Sequence, residues 1–315
     1  MIEDWFPLRD GIKLFCRRWT PERSRAALLI VHGMADHGGR YDELARRLCE
    51  AGIEVWAADM RGFGRTAGLA ENDPGRGGLL GHCADTGAVD LLLGDMGELL
   101  RHIREGAAGK KVFLLGHSWG SFLVRCFIEE RGGEADGCIL SGTRGPGGFE
   151  LRPGKALFAL IALLRGPRRF SALSRAVSDG PFNRPFRPNR TPFDWISRDE
   201  AEVDRYLEDP LGGIPCSSGF YRDLVGLLDR IQGKKALAGI RKDLPVYIYA
   251  GTADPVGDMG AGPTALVAAY RRLGLEDLEF VLYPGARHEL HHETNREEMT
   301  ANLIDWLNRH SGEAS

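Results

Sequence analysis

Short apolar runs alternate with helix-like segments along both ends of this chain. Residues 26–31 and 53–58 are apolar at almost every position, and residues 41–49 between them place leucines at helical spacing. Strands that are apolar throughout are typical of a parallel sheet buried on both faces, and parallel neighbours need a crossover connection, usually a helix. The pattern therefore predicts an α/β fold with a mostly parallel, doubly wound sheet.

The alternation covers most of the chain but is interrupted once. After a hairpin at 5–19 and a loop at 59–81, helices are predicted at 85–104, 118–130, 263–273 and 295–308, and strands at 112–115, 137–140, 244–250 and 278–283. Between 144 and 241 prolines cluster and no strand–helix alternation remains. We therefore predict a core formed by residues 1–143 and 242–315, with an inserted helical cap, or lid, at 144–241.

Composition limits the class of protein and its partners. Hydrophobic residues make up 43% of the chain and charged residues 27%, which is ordinary for a soluble globular protein. The formal net charge of −3 offers no basic excess, so we expect no nucleic-acid partner.

Cysteine usage and the terminal sequence bear on location. The six cysteines are scattered and contain no C-x-x-C pair, and acidic residues stand near the amino terminus, where a signal peptide needs basic ones. The longest apolar run, at 156–164, is shorter than the roughly 18 residues that span a membrane. We expect a cytoplasmic protein with reduced thiols, a location that allows a transient, peripheral contact of the cap with a membrane surface. The sequence leaves the oligomeric state open.

The sharpest local motif surrounds Ser118. Gly116-His117-Ser118-Trp119-Gly120 matches G-x-S-x-G, directly after an apolar strand and directly before a helix. A nucleophile on such a tight turn needs small residues on either side, because larger side chains would clash. The turn also places the serine hydroxyl at the positive N-terminus of the following helix. The motif predicts Ser118 as a nucleophile, and a plain helix N-cap serine is the alternative.

A serine nucleophile needs a base and an acid that orients the base. On a fold of this kind the chain order is Ser, then Asp or Glu, then His. Asp254 follows the predicted strand at 244–250 and is our candidate acid, with Asp258 as its competitor. The alternative position, after the strand ending at Leu140, offers no carboxylate.

His288 is the candidate base, because it lies on the segment just after the last predicted strand. His291 and His292 are expected to be exposed or structural, and the His117 side chain is expected to point away from the site. Residues 288–292 also match H-E-x-x-H, a zinc protease motif that requires a helix and a third ligand. Since a strand and Pro284-Gly285 precede His288, we predict no metal site.

Acyl transfer to such a serine also needs two N–H donors for the negative charge that develops on the carbonyl oxygen. One is expected from the backbone of Trp119, directly after the nucleophile. The loop after the first apolar strand, His32-Gly33-Met34, supplies the other candidate, the backbone N–H of Met34. An ordinary turn is the alternative for this loop.

Together these motifs resemble the α/β-hydrolase superfamily, and specifically its monoacylglycerol lipase and lysophospholipase-like branch. The resemblance covers almost the whole chain and rests on residues 32–41, the D-x-R-G-x-G loop at 59–64, the elbow, Asp254, residues 283–289, and residues 193–199 and 209–211 of the insert. It implies a serine carboxylic-ester hydrolase that has a mobile cap and needs no cofactor. Thr66 stands where the family usually has Ser, Trp119 replaces a Met that is common in monoacylglycerol lipases, and the G-x-S-W-G form also resembles proline iminopeptidases.

The insert is expected to determine the substrate. Residues 155–165 form a nearly all-apolar helical segment flanked by cations, which are Arg152, Lys155, Arg165, Arg168 and Arg169. One interpretation is a lipid-facing cap helix whose Leu157, Leu160, Ile161 and Leu164 line an acyl entrance. The alternative is a helix buried between cap and core.

We conclude from the sequence that this chain is a serine esterase, with lipid monoesters such as monoacylglycerols or lysophospholipids as the expected substrates. Two alternatives remain open. A proline iminopeptidase-like aminopeptidase would need cap carboxylates facing the site, for which the candidates are Glu200, Glu202, Asp204, Glu208 and Asp209. A non-catalytic binding member of the fold would usually lack one of the three catalytic residues.

Overall fold

The computed structural model describes residues 1–147, 151–170, 174, 176 and 180–312. Eight strands form one sheet in the order β1-β2-β4-β3-β5-β6-β7-β8. The strands are β1 Ile2–Pro7, β2 Lys13–Trp19, β3 Ala26–Val31, β4 Ile53–Asp59, β5 Lys111–His117, β6 Gly137–Ser141, β7 Val246–Gly251 and β8 Leu278–Tyr283. β2 pairs antiparallel with β1 and β4, and every other pairing is parallel. The predicted mostly parallel sheet is confirmed.

Ten helices accompany the strands within the described residues. They are α1 Asp42–Glu50, α2 Gly64–Gly68, α3 Ala88–Gly106, α4 Trp119–Arg131, α5 Leu151–Arg165, α6 Glu200–Glu208, α7 Ser218–Arg230, α8 Lys234–Ala238, α9 Ala261–Arg272 and α10 Arg296–His310. None of them combines the length and the apolar character that crossing a membrane requires.

The sheet is covered on both faces, which explains its continuous apolar strands. Every residue of β3 is buried, and alternate side chains of the strand enter different clusters. Ala27, Leu29 and Val31 pack with α3, α4 and α9, whereas Leu28 and Ile30 pack with α1 and α10. This alternation is the period of two of a strand buried on both sides.

Residues 59–81, expected to be a loop, contain α2 and a 3-10 turn at Pro74–Arg76. The Asp59 side chain accepts from the backbone N–H of Arg65 at 2.8 Å, and the Thr66 hydroxyl donates to the Asp59 carbonyl at 2.6 Å. These bonds to the first turn let a Gly-rich segment form a helix of five residues. Thr66, in place of Ser, keeps the hydroxyl that this turn uses.

The segment between β6 and β7 lies outside the sheet. Among its described residues, α5 to α8 contribute no sheet strand, and only an isolated bridge joins Phe170 to Ser217. Ser217 attaches it to the core, because its N–H donates to the Gly81 carbonyl and its hydroxyl lies 2.8 Å from His82 Nδ1. The described helices between β6 and β7 therefore lie beside the core sheet and are joined to it at Ser217.

Candidate active site

Ser118 occupies a strained turn between β5 and α4. Its φ of 51° and ψ of −121° are unusual for a residue with a side chain. A Cβ on Gly116 would lie 2.5 Å from the Gly120 carbonyl oxygen, and one on Gly120 would lie 2.1 Å from that of Val31. Both glycines are thus required by close backbone approach, and the turn presents Ser118 to a cavity above the sheet.

Asp254 and His288 meet beside this cavity. They follow the two adjacent strands β7 and β8, and both side chains are almost completely buried. His288 Nδ1 lies 3.0 Å from each carboxylate oxygen of Asp254, which also accepts from the N–H of Val256. Because Nδ1 donates to the carboxylate, Nε2 of His288 is left to accept a proton.

The competitor Asp258 is exposed and lies in a left-handed turn with φ of 51°. The structure therefore brings Ser118, His288 and Asp254 to one site. All three stand just beyond the carboxyl ends of parallel strands, where ligands bind in open α/β sheets.

The Gly33–Met34 peptide is oriented by His32. His32 Nε2 accepts from the Met60 N–H at 2.9 Å, so its Nδ1 carries the proton and donates to the Gly33 carbonyl at 2.7 Å. Burial lowers the pKa of His32, which keeps this neutral form. The N–H of Met34 belongs to the same peptide and points opposite to the held carbonyl. Met34 lines the cavity together with Trp119, the first residue of α4.

His117 lies in the site, so the expectation that its side chain points away is wrong. Its ring centroid is 4.7 Å from that of His288, and its Nδ1 is 3.2 Å from the Ser141 hydroxyl. Burial lowers the pKa of His117 well below its usual value, and the neighbouring His288 and His291 lower it further. His117 therefore packs as a neutral ring against the candidate base.

The H-E-x-x-H segment does not form the helix of a zinc protease. Leu290–His292 is a 3-10 turn, and His291 and His292 are buried rather than exposed. Arg40 binds Glu289 through two hydrogen bonds of 2.9 and 2.6 Å. Burial raises the pKa of Glu289, but the charge of Arg40 and the hydrogen bonds from Arg40 and His292 together outweigh it and hold the pKa well below its usual value. Although Glu289, His291 and His292 come within ligand spacing of one another, this carboxylate is already neutralised by a cation.

The cavity at Ser118 has a volume of about 260 Å³. Core and insert residues form its walls in two groups. One group is apolar and comes from α4, α5 and α7: Trp119, Phe122, Gly154, Phe158, Leu224, Val225 and Leu228. The other combines polar, aromatic and aliphatic side chains, among them Asp36, Phe182, Trp195, Ile196, Tyr206, Val256 and Glu289.

The four α5 residues expected to line the cavity do not lie on its wall. Leu157, Leu160 and Leu164 are exposed, and Ile161 is buried in the core cluster. The reason is the rotation of the helix: Gly154 and Phe158, one turn apart, face the cavity, and positions 157, 160 and 164 therefore fall on another face. An all-apolar run carries no polar stripe from which this rotation could be predicted. Four residues that do line the cavity were not identified from the sequence, which are Phe158, Leu224, Val225 and Leu228.

Comparison with known proteins places this arrangement in a family. The family described as serine aminopeptidase, S33, matches residues 22–295. The chain belongs to this family of α/β-hydrolases. It is a serine hydrolase of the monoacylglycerol-lipase-like kind.

Relatives and a solved structure are similar to the chain over most of its length. The chain is 27% identical to a monoacylglycerol lipase of Mycolicibacterium smegmatis, over 95% of this chain and 94% of the relative. It is 28% identical to the human monoglyceride lipase, over 90% of this chain and 82% of the relative. The structure of a thermostable carboxyl esterase from Bacillus coagulans, in complex with glycerol, superposes with a TM-score of 0.87 at 26% identity, covering 98% of both chains.

Proposed function

We propose that this protein hydrolyses lipid monoesters, monoacylglycerols or lysophospholipids, through Ser118, His288 and Asp254. The observation that carries the proposal is the cavity: Ser118 and His288 open into a space lined largely by apolar side chains of α4, α5 and α7. An apolar pocket with a few convergent polar groups suits one acyl chain joined to a small polar alcohol. The relatives named monoacylglycerol and monoglyceride lipase support the same substrate class.

Acylation begins with His288 Nε2 accepting the Ser118 hydroxyl proton while the oxygen attacks the ester carbonyl. Asp254 holds the ring and stabilises the imidazolium that forms. The backbone N–H groups of Met34 and Trp119 donate to the developing oxyanion, a contribution of about 2.7–4 kcal/mol for each donor. His288 then gives its proton to the leaving alcohol, and the acyl group stays on Ser118.

Deacylation repeats these steps with water. His288 takes a proton from the water that attacks the acyl-enzyme, and Ser118 departs with that proton. The carboxylate product leaves, and His288 is neutral again. No group other than the protein's own residues and water is required for either half of the reaction.

We further propose that residues 144–241 act as the cap, or lid, of this site. Phe158, Phe182, Trp195, Tyr206 and Leu224 all come from the insert and all line the cavity. A substrate must pass this wall to reach Ser118, so the insert is placed to select the acyl chain.

The outer face of α5 is suited to a lipid surface. Leu157, Leu160, Leu163 and Leu164 are 39%, 51%, 79% and 74% exposed, and Arg165 and Arg169 lie exposed beside them. The side chain of Arg152 lies outside the described residues. We propose that this face, rather than the cavity, is where these leucines act, through transient contact with a membrane that holds the substrate.

The aminopeptidase alternative finds no support in the site. None of the five cap carboxylates proposed for it lies among the cavity-lining residues of the described chain. Asp36 and Glu289 do line the cavity, but both already bind Arg40. A free ammonium would therefore find no unpaired carboxylate there.

The deciding experiment is hydrolysis of p-nitrophenyl esters from acetate to palmitate, followed by monoacylglycerols and lysophospholipids, with a proline arylamide alongside. We expect a preference for medium or long chains, loss of about 10⁶ in kcat in Ser118→Ala, and no arylamide turnover. Cleavage of acetate alone would contradict the lipid substrate. Arylamide turnover would favour the peptidase, and a folded protein that forms no acyl-enzyme with any ester would favour a binding role.

A further inference from the structure

The loop that carries Met34, residues 33–37, is held by the core on one side. Asp36 accepts from the N–H of Gly33 at 3.3 Å and from the N–H of His37 at 2.7 Å. The Tyr41 hydroxyl donates to the same carboxylate at 3.0 Å. Asp36 therefore fixes both ends of the loop from within.

The insert holds the same loop from above. The N–H of Gly213 donates to the Ala35 carbonyl at 2.9 Å, and the Tyr206 hydroxyl lies 3.4 Å from the same oxygen. Ala35, directly after Met34, has a φ of 53°, a conformation that costs energy for a residue with a side chain. A strained conformation of this kind is kept only when surrounding contacts hold it in place. Here the contacts are the Gly213 N–H and the Tyr206 hydroxyl of the insert.

A third bond joins the loop to the insert through Asp209. His37 Nδ1 accepts from the N–H of Gly39 at 3.1 Å, so its Nε2 carries the proton and donates to Asp209 Oδ2 at 2.7 Å. The other oxygen of Asp209 accepts from the N–H of Leu211 at 2.8 Å. Each oxygen of Asp209 therefore accepts one hydrogen bond. One bond stabilises the turn at Leu211, and the other joins the insert to His37 of the core.

Met34 therefore lies between two supports of different origin. The Gly33 backbone is held by Asp36 and His32 of the core. The Ala35 carbonyl and the His37 side chain are instead held by Gly213 and Asp209 of the insert. If the insert moved away, the strained peptide after Met34 would lose its partners while the core contacts remained. The direction of the Met34 N–H is then no longer fully determined.

We propose that Asp209 is a positioning residue of the oxyanion hole, acting through His37 so that the hole is complete only while the cap is docked. This inference rests on the proposed ester hydrolysis at Ser118. It assigns the cap a part in the chemical step, in addition to selecting the substrate, and it couples closure over a bound ester to activation of the site.

The test compares Asp209→Ala with Asp204→Ala. Asp204 lies on α6, is half-exposed and forms an ion pair with Arg190 at 2.7 Å inside the insert, so its loss removes one pair without touching the loop. With p-nitrophenyl butyrate we expect Asp209→Ala to lower kcat about tenfold with KM nearly unchanged, since complete loss of one donor costs about 10²–10³. Asp204→Ala should keep the parent kcat within twofold.

A second readout separates this role from general loosening of the fold. A p-nitrophenyl alkylphosphonate loses nitrophenolate as Ser118 Oγ bonds to phosphorus, and its tetrahedral P–O⁻ mimics the oxyanion. Its inactivation rate should fall in Asp209→Ala by the same factor as kcat, while the thermal midpoint stays close to that of Asp204→Ala. Asp209→Asn offers a milder variant, because one amide oxygen cannot replace two acceptors, and it should show a smaller fall in the same direction.

The pair should also act as one unit. Combining Asp209→Ala with His37→Gln should lower kcat no further than the more damaging single change. An Asp209→Ala kcat within twofold of that of Asp204→Ala, a rise in KM alone, or additive effects in the double variant would each overturn the proposal. Full turnover in Ser118→Ala would instead remove the proposed function on which it rests.

Discussion

The carboxyl edge of the sheet and the helical insert above it hold their side chains by different means. At the sheet edge, backbone geometry and buried hydrogen bonds fix each group: Ser118 by its strained turn, His288 by Asp254, and the Gly33 carbonyl by His32. In the insert, one apolar face of each helix packs inward, as Phe158 does from α5. Interior packing tolerates exchange among apolar residues of similar volume, whereas a buried hydrogen-bonded group does not.

This difference predicts two kinds of consequence. Changes at the sheet edge should alter the rate of the chemical step for every ester. Changes in the insert should alter which esters are cleaved, with Asp209 as the exception because it reaches the sheet edge through His37.

After removal of the Ser118 hydroxyl itself, the largest effect is expected for Asp254→Asn. An amide in place of the carboxylate cannot favour the required tautomer of His288 or stabilise the imidazolium, a change that costs about 10⁴ in kcat in serine hydrolases. Steady-state turnover of p-nitrophenyl butyrate measures it, and Asp258→Asn, an exposed neighbour, serves as the matched control with activity within twofold. A larger loss in Asp258→Asn would show that the acid has been assigned to the wrong residue.

The next effect concerns chain length and uses Gly154. This residue lines the cavity, and a Cβ there would meet only Val225, at 4.0 Å, so a larger side chain has room to enter the space. We expect Gly154→Leu to lower kcat/KM for palmitate relative to butyrate about 10–100-fold, since each misplaced methylene costs about 1–3 kcal/mol. Ala156→Leu, on an exposed position of the same helix, should leave the ratio unchanged. Equal ratios in the two variants would mean that the acyl chain does not lie along α5.

The site at the sheet edge could be predicted in large part from local patterns. Ser118 is marked by glycines that the turn requires, and Asp254 and His288 each follow an apolar strand by a few residues. A side chain at a strand end has its place determined by the topology of the sheet. His117 was misjudged because the direction of its side chain depends on the unusual dihedral angles of the turn that follows it.

The insert could be predicted far less well. Its limits were expected from the proline cluster, but the cavity wall combines Phe158 of α5 with Leu224 and Leu228 of α7, which lie more than sixty residues apart in sequence. Hydrophobic periodicity predicts neither which face of an all-apolar helix points inward nor which helix packs against it. The bonds of Asp209 and Gly213 to the loop after β3 likewise depend on tertiary contact alone.

A smaller effect on turnover is expected on the outer face of α5. Replacing Leu160 and Leu164 by Ser should lower binding to phosphatidylglycerol vesicles about thirtyfold, because each exposed leucine contributes on the order of 1 kcal/mol when it enters the interface. Turnover of a water-soluble ester should change less than twofold, since neither residue lines the cavity. Leu207→Ser, an exposed leucine on α6, is the control in a co-sedimentation assay. Unaltered vesicle binding in the double variant would place any membrane contact elsewhere.

The smallest effect on rate is expected for a buried carboxylate that the reaction does not use. Glu129 lies near the end of α4, far along the helix from Ser118, and neither of its oxygens has a hydrogen-bond partner among the described residues. Burial raises its pKa from 4.5 to about 8, against the opposing effect of Arg125. The folded protein therefore retains a proton that the unfolded chain releases above pH 4.5. The stability that this proton supplies is complete at lower pH and is lost as the pH rises to about 8.

Glu129→Gln removes this dependence, because the amide carries no charge at any pH. Relative to the parent, its free energy of unfolding should rise by at most about 1.4 kcal/mol for each pH unit between pH 5 and 8, with kcat unchanged. Urea unfolding at three pH values measures the difference, and Glu105→Gln, an exposed change on α3, should give a difference that does not vary with pH. A pH-independent difference for Glu129→Gln would mean that this carboxylate is ionised in the folded protein. A fall in kcat would show that the far end of α4, like Asp209 in the insert, influences the sheet edge.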